Sequence, residues 1–363
     1  MKRKLLAAAV AAACATPVFA QTPQAPQAPQ VPEGLQIYGR VNMTVERIET
    51  ENSTINNSNY ELIDNSSRVG LRYKKELVPG NYAIFQIESR TKLDDSAGSF
   101  LSSRDSYAGL MGDSWGTIRL GRTIGPVYYA TYDYISMHNH DTGTSSDALL
   151  NTTIFGNQGF MNNTIWYTSP KFGGFTIDFA FSLLGERRVD PDVDQPRHIG
   201  LVGSYDAGPL HLALSYANTK NDRDLDGVGA PFTMSDATAW TFGGAYDFKF
   251  MVLGALWEMA ETDVVGGRVD SDYFRIAAMF PFGQHEFHLN FGWVDTDPSD
   301  RGGKQWTVAY NYNITKQTKV YAFYTTLDNE GGGNFTLGGS PTTVTTAAGA
   351  QYSSIAIGVR HNF

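Results

Sequence analysis

The sequence predicts an all-β fold, a transmembrane antiparallel β-barrel of about sixteen strands. Three observations carry that expectation: apolar residues recur at every second position through most of the chain, tight Gly, Pro and Asp turns alternate with long polar loops, and the last strand ends on Phe363. Two is the strand period, because successive side chains of an extended chain point to opposite faces. An alternating sheet whose polar face is rich in charge cannot close on a dry core, but it suits a barrel with hydrocarbon outside and water inside.

The N-terminus reads as a secretory signal. Met1-Lys2-Arg3-Lys4 is basic, Leu5 to Ala15 is apolar and Val18-Phe19-Ala20 is a small-residue cleavage site, so residues 1–20 are expected to be removed. The apolar run is too short for a spanning helix, which needs roughly 18 residues or more. Cys14 is the single cysteine and lies inside that signal, without the preceding leucine of a lipoprotein site. The mature chain then holds no thiol, which suits an oxidising compartment. Loss of Lys2, Arg3 and Lys4 takes the formal net charge from −9 to −12 and sets nucleic acid aside as a partner. Residues 21–34, QTPQAPQAPQVPEG, form a leader whose repeated prolines favour extended, flexible chain.

The barrel is expected over residues 35–363. In its first segment Leu35, Ile37, Gly39, Val41, Met43 and Val45 share one face, and Gln36, Tyr38, Arg40, Asn42, Thr44 and Glu46 the other. Val69, Leu71 and Tyr73 against Arg68, Arg72 and Lys74 repeat the pattern, as do Ala83, Phe85 and Ile87 against Gln86, Glu88 and Arg90. Strands are expected near 35–48, 66–77, 80–94, 101–112, 115–122, 161–169, 174–184, 197–206, 209–220, 236–247, 249–262, 271–281, 285–296, 303–313, 318–328 and 351–363. Tight turns at Leu77-Val78-Pro79-Gly80, Asp113-Ser114, Phe172-Gly173-Gly174, Asp206-Ala207-Gly208-Pro209 and Phe282-Gly283-Gln284 alternate with polar loops at Glu49–Tyr60, Thr123–Phe160, Asn221–Ser235 and Glu330–Ala350. A mean hydropathy of −0.28 would ordinarily indicate a soluble chain, but alternation hides apolar residues from such an average. Tyr167, Trp240, Trp257, Trp293, Trp306, Tyr312 and Phe363 are candidates for interfacial girdles.

Other constellations carry little chemistry. His138-x-His140-Asp141 offers two imidazoles without a third at helical spacing, so it reads as polar lining. Asp222-x-Asp224-x-Asp226-Gly227 begins like a calcium loop, yet Thr233 stands where the bidentate Glu belongs. No Gly-x-Ser-x-Gly, phosphate loop, His-Glu-x-x-His or paired-carboxylate arrangement stands out, so no catalysis, cofactor or metal is expected.

The final strand places Ile355, Ile357, Val359, His361 and Phe363 on one face and stops on an aromatic carboxylate. It resembles the signal that the outer-membrane barrel assembly machinery reads. Together with Ile37-Tyr38-Gly39, Ser67-Arg68-Val69-Gly70-Leu71, Phe85-Gln86-Ile87-Glu88, Ser103 to Leu110, Gly116 to Arg122, Asn163 to Pro170 and Tyr312 to Thr318, it makes the chain resemble the general porins of Gram-negative bacteria, especially the betaproteobacterial and neisserial type. The resemblance covers the mature chain. It implies a sixteen-stranded homotrimer in the outer membrane, surrounded by lipid, that passes small ions and solutes by passive diffusion, with a third loop folded into the lumen. That loop is Thr123–Phe160, and its Asp133, Asp141 and Asp147 would face wall arginines. Arg40 and Arg68 fall on the polar face by parity. Arg122 is given to the wall by the resemblance, although parity groups it with Ile118 and Leu120, so a twist at the strand end is required. Arg90 and Arg104 are further candidates. Where many relatives carry a basic residue before Asn162-Asn163, this chain has Phe160-Met161; with the acidic balance, this suggests weaker anion preference or mild cation preference.

A substrate-specific channel for organic acids, amino acids or phosphate is the alternative within transport. A barrel adhesin or outer-membrane enzyme would have a plugged lumen, and a soluble β-sandwich lectin would use the same apolar faces as core.

Overall fold

The computed structural model describes residues 33–51, 56–94, 103–138, 140–150, 160–183, 196–220, 236–264, 267–297, 300–337 and 347–363. The strands are β1 (Gly34–Glu51), β2 (Asn56–Asp64), β3 (Arg68–Val78), β4 (Asn81–Arg90), β5 (Ser106–Gly112), β6 (Gly116–Thr123), β7 (Met161–Thr168), β8 (Phe175–Leu183) and β9 (Arg197–Ala207). They continue with β10 (Leu210–Lys220), β11 (Ala237–Asp247), β12 (Val252–Val264), β13 (Gly267–Phe282), β14 (His285–Asp297), β15 (Gly303–Asn313), β16 (Thr318–Asn329) and β17 (Gln351–Asn362).

These segments close into a sixteen-strand antiparallel barrel. From β3 to β17 each strand pairs antiparallel with the next, and β17 pairs with β1 from Arg40↔Asn362 to Glu51↔Gln351. The other edge of β1 is shared by β3, up to Arg40↔Arg68, and β2, from Met43↔Asp64. β2 and β3 are therefore two halves of one strand, interrupted at Asn65, Ser66 and Ser67. Side chains bridge the interruption: Asn42 N donates to Ser67 Oγ at 2.9 Å and Asn42 Nδ2 to the Asn65 carbonyl at 2.9 Å. Closure matters because hydrocarbon offers no partner to an open strand edge. The seam ends with reciprocal 3.0 Å hydrogen bonds between Gly39 and Phe363, and the Phe363 ring lies where any Cβ on Gly39 would fall.

The structure corrects one expected loop. Glu49–Tyr60 is mostly strand, since β1 runs to Glu51 and β2 begins at Asn56. The polar sequence Asn56 to Asn59 forms a ladder with β1 without apolar alternation, so periodicity could not reveal it. The tight turns at Gly80, Gly173-Gly174, Gly208 and Gly283 lie at one rim, and every glycine among them has positive φ.

The two faces separate as the parity requires. Ile37 and Ile357 are 68% and 71% exposed on the outer face, whereas Thr44, Glu46 and Ser354 are buried inside. Each large aliphatic side chain contributes about 1.5–3 kcal/mol when hydrocarbon rather than water covers it. The inner face is satisfied by polar pairing: Glu46 accepts from Thr44 Oγ1 at 2.7 Å and Ser354 Oγ at 2.8 Å. No described helix is long and apolar enough to cross a membrane.

Candidate functional site

The segment after β6 turns into the barrel. A π-helical turn, Tyr128–Asp133, rests on β10 and β11, and a 3₁₀ turn, Asp147–Leu149, rests on β14 and β15. Val127, Tyr132, Ile135, Leu149 and Leu150 from this segment join wall residues Val202, Leu256, Val294 and Leu327 in one buried cluster. Apolar burial of this kind attaches a loop to a wall that is otherwise polar. The wall accommodates it with glycine: a Cβ on Gly243 would come within 2.6 Å of Ile135 Cδ1, and one on Gly254 within 2.9 Å of Ile135 Cγ2. Tyr132 donates to Glu258 and lies 3.1 Å from Thr241 Oγ1.

The loop brings Asp141 to the arginines expected on the wall. Asp141 Oδ2 accepts from Arg40 Nη1 at 3.0 Å and from Arg68 Nη2 at 2.7 Å. Arg68 lies 3.7 Å from Glu88, and Glu88 accepts from Arg104 Nε at 2.5 Å. Acid and base thus alternate along one continuous string. Asp147 pairs instead with Arg275, on β13. Asp133 stands at the end of the π-helical turn, where its carbonyl accepts from Ser136 Oγ at 2.8 Å. Arg90 donates to the Asp64 carbonyl at 3.3 Å, beside the break between β2 and β3.

Arg122 occupies the rim. It donates to the Ser103 carbonyl at 3.4 Å and to Asn162, with its guanidinium 5.2 Å from the Phe160 ring centre. The β6–β7 register shifts between Gly121 and Thr123, and Asn163 has φ 51°. Strict alternation ends there, beside Arg122. Arg122 therefore shares Phe160 with Arg104, whose guanidinium is 5.1 Å from the same ring.

Electrostatics divide the loop acids. Burial opposes ionisation of Asp141, but Arg68 and Arg40 outweigh it and hold the carboxyl below its usual value. Asp133 is pushed up to about 6 by burial, then by the Asp141 and Asp147 carboxylates. His138 and His140 are held well below the usual imidazole value by burial, followed by the neighbouring imidazole in each case. Both bond to Asn311 Oδ1, at 3.1 and 3.3 Å, and His140 Nδ1 accepts from Arg360 Nη1 at 3.1 Å. The calcium-like segment Asp222 to Thr233 lies outside the described residues.

Three arginines of the inner wall were not singled out by the sequence. Arg119 donates to Thr168 Oγ1 at 3.1 Å and packs 4.4 Å from the Trp166 ring centre. Arg275 and Arg360 complete the set. Parity contained the signal: Ile118 and Leu120 outward place Arg119 inward, and Ile357 and Val359 outward place Arg360 inward. On the outer face, Trp240, Trp257 and Trp306 are 39–45% exposed.

The known proteins that resemble this chain are consistent in kind. A sequence-family model described as Gram-negative porin matches residues 7–332. Outer membrane porin protein 32 of Delftia acidovorans is 28% identical over 315 residues, covering 82% of this chain and 85% of its own. An outer membrane porin protein of Bordetella pertussis is 24% identical across 100% of both chains. Among solved structures, an anion-selective porin from Comamonas acidovorans superposes with a TM-score of 0.76 at 25% identity, covering 91% of this chain and 99% of that one.

Proposed function

This chain belongs to the Gram-negative porin family, and on that premise we propose that the inward loop and the arginines of β1 and β3 form a charge filter without strong anion preference. The protein is an outer-membrane porin, a barrel whose lumen lets small hydrophilic solutes and ions diffuse. The filter reading rests above all on Asp141, whose carboxylate answers both Arg40 and Arg68, while Glu88 answers Arg104. Guanidinium groups paired in this way offer a passing anion far less than bare ones would. The net charge of −12 that removal of residues 1–20 would leave points the same way.

Reversal potential across a planar bilayer in a salt gradient tests the proposal. At neutral pH the expected result is weak selectivity, neutral to mildly cationic; strong chloride selectivity overturns it. Asp133 adds a pH arm. Its carboxylate is charged above about pH 6 and neutral below, whereas His138 and His140 stay neutral through that window. Acidification through about pH 6 should therefore lower the cation-to-anion ratio, and Asp133→Asn should hold the ratio at its acid value throughout.

A homotrimer fits the outer surface. Outward tryptophans lie on β11, β12, β14 and β15, at Trp240, Trp257, Trp293 and Trp306, while the outward faces of β17, β1 and β3 present aliphatic residues such as Ile357, Val45, Ile37 and Leu71. Tryptophan belongs at a lipid headgroup boundary. Outer sectors without it, among which β17, β1 and β3 form one, suit contact with another copy of the chain. A band of trimer size that resists detergent and collapses on heating is expected on a gel; a single monomeric band under gentle extraction contradicts it.

A further inference from the structure

Arg275 projects inward from the middle of β13 and is fully buried. Its guanidinium reaches both helical turns of the inward loop. Nη1 donates to the Tyr132 carbonyl at 3.0 Å, in the π-helical turn, and Nη2 pairs with Asp147, in the 3₁₀ turn. Nε donates to Tyr273 Oη at 2.9 Å, and Tyr273 lies 2.8 Å from Ser146 Oγ, the residue before Asp147. One planar group therefore joins two loop segments that are separated in sequence by the Asp141 tip.

We propose that Arg275 is the clamp that fixes the inward loop against the wall, so that its contacts with Tyr132 and Asp147 set a single open width of the channel. The chemistry is specific to arginine. The end of a helical turn leaves carbonyls without intrahelical partners, and a guanidinium can satisfy one while pairing with a carboxylate through another nitrogen. A lysine ammonium is a point donor on a flexible stem and cannot hold both with fixed geometry. Ser146, with φ 57°, and the Gly292 backbone, which leaves no room for a Cβ beside Ser146, bring the 3₁₀ turn close enough for this contact. Arg275 acts through the loop rather than on the solute, so it is a positioning residue.

Single-channel recording on Arg275→Met, Arg275→Lys and Asp147→Asn tests the clamp, with the heat-modifiable shift of the barrel on a gel as the folding control. Asp147→Asn leaves every wall residue in place and decides the matter should Arg275→Met fail to fold. The expected result for Arg275→Met and Asp147→Asn is loss of the single open level, replaced by several sub-levels, with closure at lower voltage. Arg275→Lys should fall between them and the parent. A merely structural contribution would lower the temperature of the gel shift and leave the open level unique. Barrels that conduct at the parent's single level with an unchanged closure threshold overturn the clamp. A parent protein that never conducts would instead defeat the channel assignment itself, so the two failures are distinguishable.

Discussion

Replacing Arg40 and Arg68 together by glutamine is expected to raise the cation-to-anion permeability ratio by roughly tenfold at low salt, the largest functional change anticipated from wall substitutions. Two unit charges about 4 Å apart interact by about 1 kcal/mol in bulk water and about 4 kcal/mol near a protein surface. The same guanidinium acts with opposite sign on an anion and a cation, and about 1.4 kcal/mol between the two is a factor of ten in their ratio. The double substitution removes positive charge and leaves Asp141 without the two partners that now lie 3.0 and 2.7 Å away. Neutralising Asp141 as well should return the ratio toward that of the parent. Concentrated salt should shrink all of these differences, because the screening length falls to about 3 Å at molar ionic strength. Reversal potentials read the effect directly, and a ratio unaltered by Arg40→Gln/Arg68→Gln would mean that the permeating ion does not pass this cluster.

The second large effect concerns stability. Leu289 is 47% exposed on the outer face of β14, opposite Ala278 on β13 and Val308 on β15. Leu289→Arg places a cation in the lipid band and should destabilise the barrel by about 2–4 kcal/mol, the cost of a lipid-facing arginine near the bilayer midplane. Thr176, on the inward face of β8, provides the contrast, since Ile177 beside it points outward. Thr176→Arg should change stability by no more than about 0.5 kcal/mol, as substitutions on a solvated surface do. Urea unfolding in the same lipid, with both variants against the parent, measures the difference. Equal losses would mean that the two faces do not differ in solvent.

Parity makes the barrel legible in the sequence. A shift of one residue would send Ile37, Val45 and Ile357 into water and Arg40 and Glu46 into lipid, so the hydrophobic pattern fixes the face of each strand. What parity does not encode is where alternation is set aside. β2 lacks an apolar rhythm over Asn56 to Asn59 because its role is to extend the ladder of β1, and backbone pairing needs no particular side chain. Arg122 could be assigned to the wall only by resemblance, since the register irregularity beside it is a property of two strands at once. The inward loop was legible as a long acidic break, yet the division of labour among its carboxylates was not: Asp141 meets Arg40 and Arg68, whereas Asp147 meets Arg275 more than a hundred residues away in sequence. Arg275 shares the inward parity of Tyr273, and in sequence a lone arginine within an alternating strand looks like any other lumenal charge.

Passive diffusion requires a lumen filled with water alongside the inward loop. The most direct test is the single-channel conductance of the purified protein in a planar bilayer as potassium chloride is raised from dilute to molar. Discrete steps whose size rises in near proportion to the conductivity of the bulk solution are predicted, because ions would cross through solvent rather than through a saturable binding site. A bilayer that stays silent with folded protein inserted, or a current that levels off while the bulk conductivity continues to climb, would contradict it.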